Sequence, residues 1–310
     1  MATFAHKTFS AASYAAFRPS YPQSFYTKTI NYHIGPRSTL LDLGCGHGVV
    51  SRALAPHFEK VYGTDPSAVM INQARKIAAE SDTAGNVQWR QASAENLDFV
   101  EDGSLDMVVA GQAAHWFDFP RVWGLVRRKL RVGGTVAFWG YKDNLLVDFP
   151  AATEVLDRYC YGEGERFMGR FWEQPGRERL RDLYRDEVMR PPGDGFGDVE
   201  FARYEPGLRG TRSGEGIAEG GVVMGKRMKL GELEGYWRTF SAFHGWQREN
   251  QERKRREEGE EEEGSGDLID EMFEEMLEVE PKLRAREGED WRDVEVETEW
   301  GTVILLARKK

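Results

Sequence analysis

The feature that most constrains this chain is the segment 40–48, where a short apolar run ends in an acid and a glycine-rich turn. The alternating glycines of this turn are Gly44, Gly46 and Gly48. Glycine lacks a Cβ and tolerates positive φ, so the turn can be tight and a ligand can approach its backbone closely. A second predicted strand, 60–64, delivers the carboxylate of Asp65, which can accept hydrogen bonds from both hydroxyls of a ribose. The segment predicts an α/β sheet that presents backbone to an adenosine-type cofactor.

The spacing of the glycines discriminates between nucleoside cofactors. Dinucleotide sites use Gly-x-Gly-x-x-Gly, which packs a pyrophosphate against a helix N-terminus. Here the third glycine comes one residue early, at Gly48, and Val49 occupies the place that a dinucleotide site gives to Gly or Ala. This departure argues against a nicotinamide dehydrogenase. The order of acid, glycine triplet and second acid resembles motif I of class I S-adenosylmethionine (SAM) methyltransferases, with Asp42 and Asp65 as the two acids.

Composition excludes several classes of protein. Of the 310 residues, 40% are hydrophobic, which is enough for a sizeable core. The formal net charge of -10 argues against a nucleic-acid partner, because that partner needs clustered Lys and Arg. The two cysteines, Cys45 and Cys160, predict neither a disulfide framework nor a metal site. No apolar run approaches membrane-spanning length, and residues 1–10 lack the apolar core of a secretory signal, so we expect a cytoplasmic protein without membrane contact.

Predicted strands and helices alternate through the first half of the chain, which indicates parallel βαβ units. We therefore expect an α/β fold with a doubly wound, mostly parallel, seven-stranded sheet of Rossmann-like type. The predicted strands are 39–43, 60–64, 87–91, 105–110, 135–140, 199–204, 294–297 and 303–307. The predicted helices are 49–55, 67–80, 120–130, 151–161, 178–188, 230–247 and 267–277.

The second half of the chain is less regular than the first. Residues 207–225 are rich in Gly and predict a flexible loop. Segment 247–267 carries a dense run of glutamates with few apolar residues, so we expect a disordered insertion that could be removed without loss of stability. The predicted regions are an arm with the first helix (1–38), a SAM-binding core (39–140), substrate-side helices with a short strand and the Gly-rich loop (141–246), the charged insertion (247–267), and a last helix with closing strands of the same domain (268–310).

Further stretches narrow the resemblance. The stretch 91–95 follows the third strand, and 110–118, which contains His115, leaves the carboxyl end of the fourth, where open α/β sheets bind ligands. An aromatic, Pro-stiffened arm, Tyr14 to Pro22, precedes the first strand. Together with the predicted helix core 236–243, these stretches resemble the trans-aconitate methyltransferase-like group of small-molecule SAM methyltransferases, of fungal type.

This resemblance implies SAM as the cofactor and a carboxylate-methylating ancestor, although members of the group differ in substrate. The implied cofactor contacts are Asp42, Gly44, Gly46, Gly48, Asp65, Ala94, Glu95 and Gln112. The predicted substrate contacts are Tyr14, Arg18, Trp116, Trp139 and Trp237. Arg18 could instead anchor the arm to an acidic surface, and aromatic residues at such spacing are more often part of a core.

The predicted reaction is methyl transfer to a carboxylate or hydroxyl oxygen of a small organic molecule. Displacement at a sulfonium gains its rate mainly from alignment of the reacting atoms and exclusion of water. A carboxylate, with a pKa of about 4, needs no base, whereas an alcohol or phenol would benefit from one. His115 is the candidate catalytic residue for that role, with packing beneath the pocket as an equal alternative.

Two other functions stay open at this point. A descendant of the fold that binds SAM or a protein partner without catalysis is compatible with the acidic run. A nucleic-acid methyltransferase is disfavoured by the acidity of the chain. The stretch Gly111-Gln112-Ala113-Ala114 also differs from the Asn/Asp-Pro-Pro-aromatic stretch of enzymes that methylate amino groups of nucleic acids.

Isothermal titration should show that the protein binds SAM and S-adenosylhomocysteine (SAH) and that its binding of NAD is negligible. The physical reason is the spacing of the glycines. Because the third glycine comes one residue early, the segment does not form the turn that binds a pyrophosphate. Tighter binding of NAD than of SAM would return the dehydrogenase to first place.

Overall fold

The computed structural model of the chain describes residues 17–80, 85–211, 216–256, 266–286 and 288–310. The predicted contact Tyr14 and the glutamate run at 257–263 lie outside these residues. Nine strands are described: β1 (Thr39–Leu43), β2 (Lys60–Asp65), β3 (Val87–Gln91), β4 (Leu105–Gly111), β5 (Leu130–Leu146), β6 (Phe196–Glu205), β7 (Ile217–Glu219), β8 (Met224–Lys229) and β9 (Glu295–Lys309). The described α-helices are α1 (Gln23–Tyr32), α2 (Val49–Leu54), α3 (Ala68–Ala79), α4 (Phe119–Lys129), α5 (Pro150–Tyr161), α6 (Gly176–Arg181), α7 (Leu230–Trp237), α8 (Ser241–Glu249) and α9 (Leu268–Val279).

All nine strands belong to one mixed sheet with the order β3-β2-β1-β4-β5-β9-β6-β7, and β8 also pairs with β9. The strands from β3 to β5 are parallel to one another. Strand β9 runs antiparallel to β5, β6 and β8. The predicted fold class is therefore confirmed, with nine described strands in place of the expected seven.

The sheet is covered on both faces, as a doubly wound fold requires. Neighbouring residues of one strand enter different hydrophobic cores, because side chains alternate across a sheet. On β5, Trp139 packs in the core that contains α1, α5 and α7, whereas Phe138 packs in the core that contains α4. The central parallel strands β1 and β4 consequently bury both of their faces, and loops converge at their carboxyl ends.

The structure departs from the predicted elements where the chain folds back on itself. The Gly-rich segment 207–225 contains β7 and the start of β8. The closing strands predicted at 294–297 and 303–307 are one continuous strand, β9, which pairs with three other strands. The alternation of apolar and polar residues within a short segment does not reveal that β9 is continuous, because the strands that pair with it are distant in sequence.

The helix predicted at 230–247 is broken between α7 and α8. The Thr239 hydroxyl donates to the carbonyl of Tyr236 at 2.5 Å, and Phe240 is extended. The Thr239 carbonyl accepts a hydrogen bond from Nη2 of Arg18 at 3.2 Å, so the N-terminal arm uses a backbone group that a continuous helix would occupy. The break places Ser241 at the candidate site described below.

The predicted disorder of 247–267 differs from the structure at both ends of the segment. Residues 247–249 belong to α8. Asp267 is fully buried and caps α9, where its Oδ1 accepts from the backbone N–H groups of Ile269 at 2.9 Å and Asp270 at 3.2 Å. Its Oδ2 accepts from the guanidinium of Arg238. The expectation that the whole segment can be removed without cost is therefore corrected, because the removal would take this cap with it.

Replacing Asp267 by Ala should lower the free energy of unfolding by about 2–4 kcal/mol, because it removes an N-cap and one buried partner of Arg238. Urea unfolding followed by circular dichroism measures the change. The matched control is Glu278→Ala on the exposed side of the same helix, which should stay within about 0.5 kcal/mol of the parent. Equal stability of the two variants would contradict the stabilising role of Asp267.

Candidate active site

The turn between β1 and α2 has positive φ at all three of its glycines: +67° at Gly44, +55° at Gly46 and +88° at Gly48. A Cβ at Gly44 would lie 2.5 Å from the Cβ of Ala113, and one at Gly48 would lie 2.2 Å from the ring of Trp89. A Cβ at Gly46 would meet nothing within 4 Å. The first and third glycines thus permit close packing, and the middle one leaves its backbone open to the space in front of the sheet.

That space is a cavity of about 320 Å³ at the carboxyl ends of the parallel strands, within the size range of small-molecule sites. The predicted site residues that line it are Gly44, Gly46, Asp65, Ala94, Glu95, Gln112, His115, Arg18 and Trp116. Residues that the sequence analysis did not assign as contacts also line it, among them Tyr21, Ser67, Met70, Trp172, Arg177, Leu180 and Ser241.

The two acids of the motif lie in different environments. Asp65 is at the cavity wall, where its Oδ2 accepts from the Gly46 N–H at 3.0 Å and its Oδ1 from the Ser67 N–H at 2.8 Å. Asp42 is fully buried behind the wall, and its Oδ2 accepts from the Ser51 hydroxyl at 2.6 Å. Its Oδ1 has no hydrogen-bond partner within the described part of the chain. Burial raises the pKa of Asp42 to about 7 and also raises the pKa of Asp65.

Glu95 and Gln112 line the cavity, but their side chains are engaged with backbone. Glu95 accepts from the Asp118 N–H at 3.2 Å. The Gln112 amide donates to the Tyr141 carbonyl at 2.9 Å and accepts from the Tyr141 N–H at 2.7 Å. Gln112 also has a φ of +53°, a strained conformation for a residue with a side chain. Gln112 therefore ties the end of β4 to β5 and presents itself to the cavity as part of a fixed wall.

His115 occupies a short 3-10 turn, 114–116, that follows β4. It is 4% exposed, and its Nδ1 has no hydrogen-bond partner among the residues that the structure describes. Burial, and to a smaller extent the nearby guanidiniums of Arg177, Arg18 and Arg179, together lower the pKa of His115 to about 3. The imidazole is neutral at physiological pH, and these guanidiniums disfavour its protonation even though Arg177 pairs with Asp143 and Arg179 with Asp186.

Arg18 brings the N-terminal arm to the wall of the cavity. Besides donating to the Thr239 carbonyl, its guanidinium lies 5.4 Å from the ring centre of Tyr236 and 5.6 Å from that of Phe240. Tyr21 continues the arm and packs edge-on against Trp139, with 5.8 Å between ring centres. Arg18 thus lines the cavity and anchors the arm as well, but the anchor consists of a carbonyl and aromatic rings where an acidic surface was predicted.

The structure does not bring four of the predicted residues to the cavity surface. Asp42 and Gly48 support the turn from behind it. Trp139 is fully buried beneath Tyr21, and Trp237 is fully buried in the core with its Nε1 donating to Asn144 at 3.0 Å. The two tryptophans are corrected from substrate contacts to core residues, since their strand and helix face inward there. Trp116 does line the cavity, and its contact with a substrate stays a prediction.

Trp172 and Arg177 are the most informative residues that the sequence analysis missed. They belong to 172–177, a segment without hydrophobic periodicity that joins the cavity through tertiary packing alone. A Cβ on Gly176 would lie 2.6 Å from the Trp116 ring, so the start of α6 is pressed against the turn that carries His115. The sequence signal that could have drawn attention to it is a Pro-Gly pair directly before an arginine in an otherwise charged helix.

Comparison with known proteins agrees with this geometry. Residues 41–138 match a family described as a methyltransferase domain. Over 309 residues the chain is 29% identical to CRG1 of Saccharomyces cerevisiae, described as a probable S-adenosylmethionine-dependent methyltransferase, with 99% of this chain and 98% of the relative covered. Methyltransferase gedG of Aspergillus terreus is 35% identical over 133 residues, which cover 42% of this chain and 40% of gedG.

A solved structure shares the fold across nearly the whole chain. It is described as a type II methyltransferase candidate from Anaeromyxobacter dehalogenans, and it superposes with a TM-score of 0.64 at 24% identity, covering 94% of this chain and 98% of the other. A parallel sheet with this glycine turn, an acid after β2 and a cavity at the strand ends defines a nucleoside-binding α/β protein. With the sequence similarities above, the protein is a SAM-dependent methyltransferase, with SAM as its cofactor.

The residues at the cavity fit this cofactor. The backbone of Gly46 faces open space, and the carboxylate of Asp65 is at the wall. In the described part of the chain, no helix is long and apolar enough to cross a membrane, and His, Cys, Asp and Glu form no group that could hold a metal ion. The individual cofactor contacts stay predictions.

Replacing Asp65 by Ala should weaken SAM binding by about 1.5–3 kcal/mol, because a charged hydrogen-bond acceptor is lost. This corresponds to roughly a tenfold to hundredfold higher Kd by isothermal titration. Asp98→Ala, an exposed acid that does not line the cavity, is the control and should bind SAM as the parent does. Unchanged affinity in the Asp65 variant would show that Asp65 does not hold the ribose.

Proposed function

We propose that the enzyme transfers the methyl group of SAM to a carboxylate oxygen of a small organic acid, as a member of the trans-aconitate methyltransferase-like group. The observation that carries the proposal is the charge around His115, where Arg177, Arg18 and Arg179 all lower the pKa of the imidazole. Arg18 and Arg177 also line the cavity. A positive potential in a mostly apolar cavity favours an acceptor that carries a negative charge.

The cofactor, when bound, supplies an electrophilic methyl group on a positively charged sulfur. For its binding we propose that the Asp65 carboxylate accepts from the ribose hydroxyls and that Gly44 and Gly46 approach the ligand with their backbone. Ala94 and Glu95 flank the base, and Gln112 contributes as fixed wall. The two acids that line this side, Asp65 and Glu95, complement the positive charge of the sulfonium and the amino group.

The protein then has to align the acceptor and exclude water. A carboxylate is ionised at neutral pH and attacks without losing a proton, so no residue has to act as a base. The arm residues Arg18 and Tyr21 cover the cavity, and Trp116 and Trp172 add apolar wall, which removes water from the path of transfer.

The lowered pKa of His115 also makes a hydroxyl group the weaker candidate for the methyl acceptor. A general base works best with a pKa near the operating pH. Burial and three guanidiniums hold the pKa of His115 at about 3, so its imidazole has little tendency to take a proton from an alcohol or phenol. We propose instead that His115 is a neutral hydrogen-bonding wall residue. The net charge of -10 argues against a nucleic-acid acceptor.

Incubation with methyl-labelled SAM should label small carboxylic acids in preference to their corresponding alcohols. At saturating SAM, kcat should show no titration step of the acceptor carboxyl, with a pKa of about 4, or of His115, with a pKa of about 3, between about pH 6 and 9, because both titrate below this window. A step near pH 7 would belong to Asp42, whose pKa is about 7. His115→Gln should change kcat by less than about tenfold, since it removes no proton-transfer step.

Label transfer to phenols or alcohols, with kcat rising through neutral pH and lost in His115→Gln, would establish the hydroxyl reaction instead. Binding of SAM without transfer to any acceptor in the panel would support a non-catalytic descendant. Thermal unfolding with and without SAH verifies that each variant is folded and binds the cofactor.

A further inference from the structure

Arg177 lines the cavity and is the first side chain of α6 after Gly176. Its side chain is only 11% exposed, which is unusual for an arginine. The close contact between Gly176 and Trp116 fixes the start of α6 beside the turn that carries His115. This tight packing contact holds a charged residue, Arg177, at the wall of a cavity that is otherwise mainly apolar.

The position of the Arg177 guanidinium is set by three neighbours. Its Nη2 donates to the Asp143 carboxylate and to the Tyr161 hydroxyl. Its plane also lies over the ring of Trp172, with 3.8 Å between Cζ and the ring centre. Asp143 and Tyr161 hold the charge in place, and they do not line this cavity. A side chain fixed in this way loses little conformational entropy when it binds a ligand.

These contacts leave part of the hydrogen-bonding capacity of Arg177 unused. Its buried Nε has no hydrogen-bond partner in the part of the chain that the structure describes. The same holds for the buried Nδ1 of His115, a neighbouring group that responds electrostatically to Arg177. Unsatisfied buried polar atoms such as these, on side chains that line one cavity, are costly unless a ligand or an ordered water satisfies them.

We propose that Arg177 is the residue that recognises the carboxylate of the methyl acceptor, with Asp143 and Tyr161 as its positioning residues. The inference rests on the proposed function for the identity of the reacting group. An arginine binds a carboxylate through planar, charge-assisted hydrogen bonds, which fix orientation as well as position. An acceptor held by Arg177 next to the imidazole of His115 would also supply partners for the unsatisfied atoms.

The neighbouring arginines fit this role less well. Arg179 pairs with Asp186 at 2.8 Å and does not line the cavity. Arg18 does line the cavity, but it donates to the Thr239 carbonyl and lies against two aromatic rings. Arg18 belongs to the arm that covers the cavity, whereas Arg177 belongs to a helix packed against the His115 turn. Arg177 can therefore position the acceptor without a contribution from the arm.

The test measures the affinity of the SAH-loaded protein for three carboxylates and their uncharged amides: acetate and acetamide, succinate and succinamide, benzoate and benzamide. The parent should bind at least one carboxylate about tenfold or more tightly than its amide. Arg177→Gln should lose at least tenfold of that preference, and Arg177→Lys should keep part of it, because the charge remains without the planar fork. SAH affinity should not change.

Arg177→Gln removes the closest charged partner of Asp143, leaving Arg181 at 4.0 Å, and can destabilise the protein, so the double variant Asp143→Asn with Arg177→Gln is measured beside it. The double variant removes both charges and should be more stable than the single variant, yet it should show the same loss of preference for carboxylates. Arg185→Gln is the matched control. Arg185 pairs with Glu205 at 2.9 Å outside the cavity, and its replacement should leave the preference intact.

A parent that prefers no carboxylate over its amide, or a folded Arg177→Gln variant that retains the preference, would overturn the role of Arg177. Failure of the proposed function is a different result. If the preference depends on Arg177 but no acid is methylated on oxygen, the acceptor is an anion that reacts at another atom. If acids are methylated equally well by Arg177→Gln, the reaction stands and Arg177 does not recognise the acceptor.

Discussion

The close contact between two turns of the sheet is the constraint on which the site depends. A Cβ at Gly44, in the turn after β1, would lie 2.5 Å from the Cβ of Ala113, in the turn after β4. Because β1 and β4 are adjacent and parallel, both turns emerge at the same edge of the sheet. Glycine at position 44 allows the turn with Gly46 to touch the turn with His115. Cofactor side and acceptor side therefore share one cavity and one set of fixed walls.

Charge is distributed unevenly around that cavity. Carboxylates, including Asp65 and the buried Asp42, lie by the β1 and β2 turns, and the repulsion between these two acids adds to the effect of burial on the pKa of Asp42. Guanidiniums act on His115 at the β4 turn. Such a division suits a reaction between a cationic methyl donor and an anionic acceptor, because each ligand meets opposite charge. The positions of the carboxylates and guanidiniums around the cavity therefore help to align SAM with the acceptor.

The helices of the second half are tied to the site through buried ion pairs. Glu234 is 2% exposed and accepts from Arg238 at 3.0 Å, from Arg255 at 2.9 Å and from Arg292 at 2.8 Å. Arg238 in turn pairs with Asp267, the cap of α9. The next residue, Thr239, holds Arg18 of the arm through its carbonyl. Breaking one partner of such a network leaves charge buried, so the cover over the cavity and the packing of α7 to α9 are energetically linked.

The sequence by itself determined the parallel core, the glycine turn and the position of Asp65, because local periodicity, glycine spacing and strand ends depend on residues that are close together in the sequence. It also brought His115 and Trp116 to the strand edge, where parallel strands place their loops. Only the tertiary structure decided that Trp139 and Trp237 are core and that Arg177 joins the wall. Those outcomes depend on contacts between segments distant in the chain, such as Gly176 against Trp116, and no local pattern encodes a distant partner.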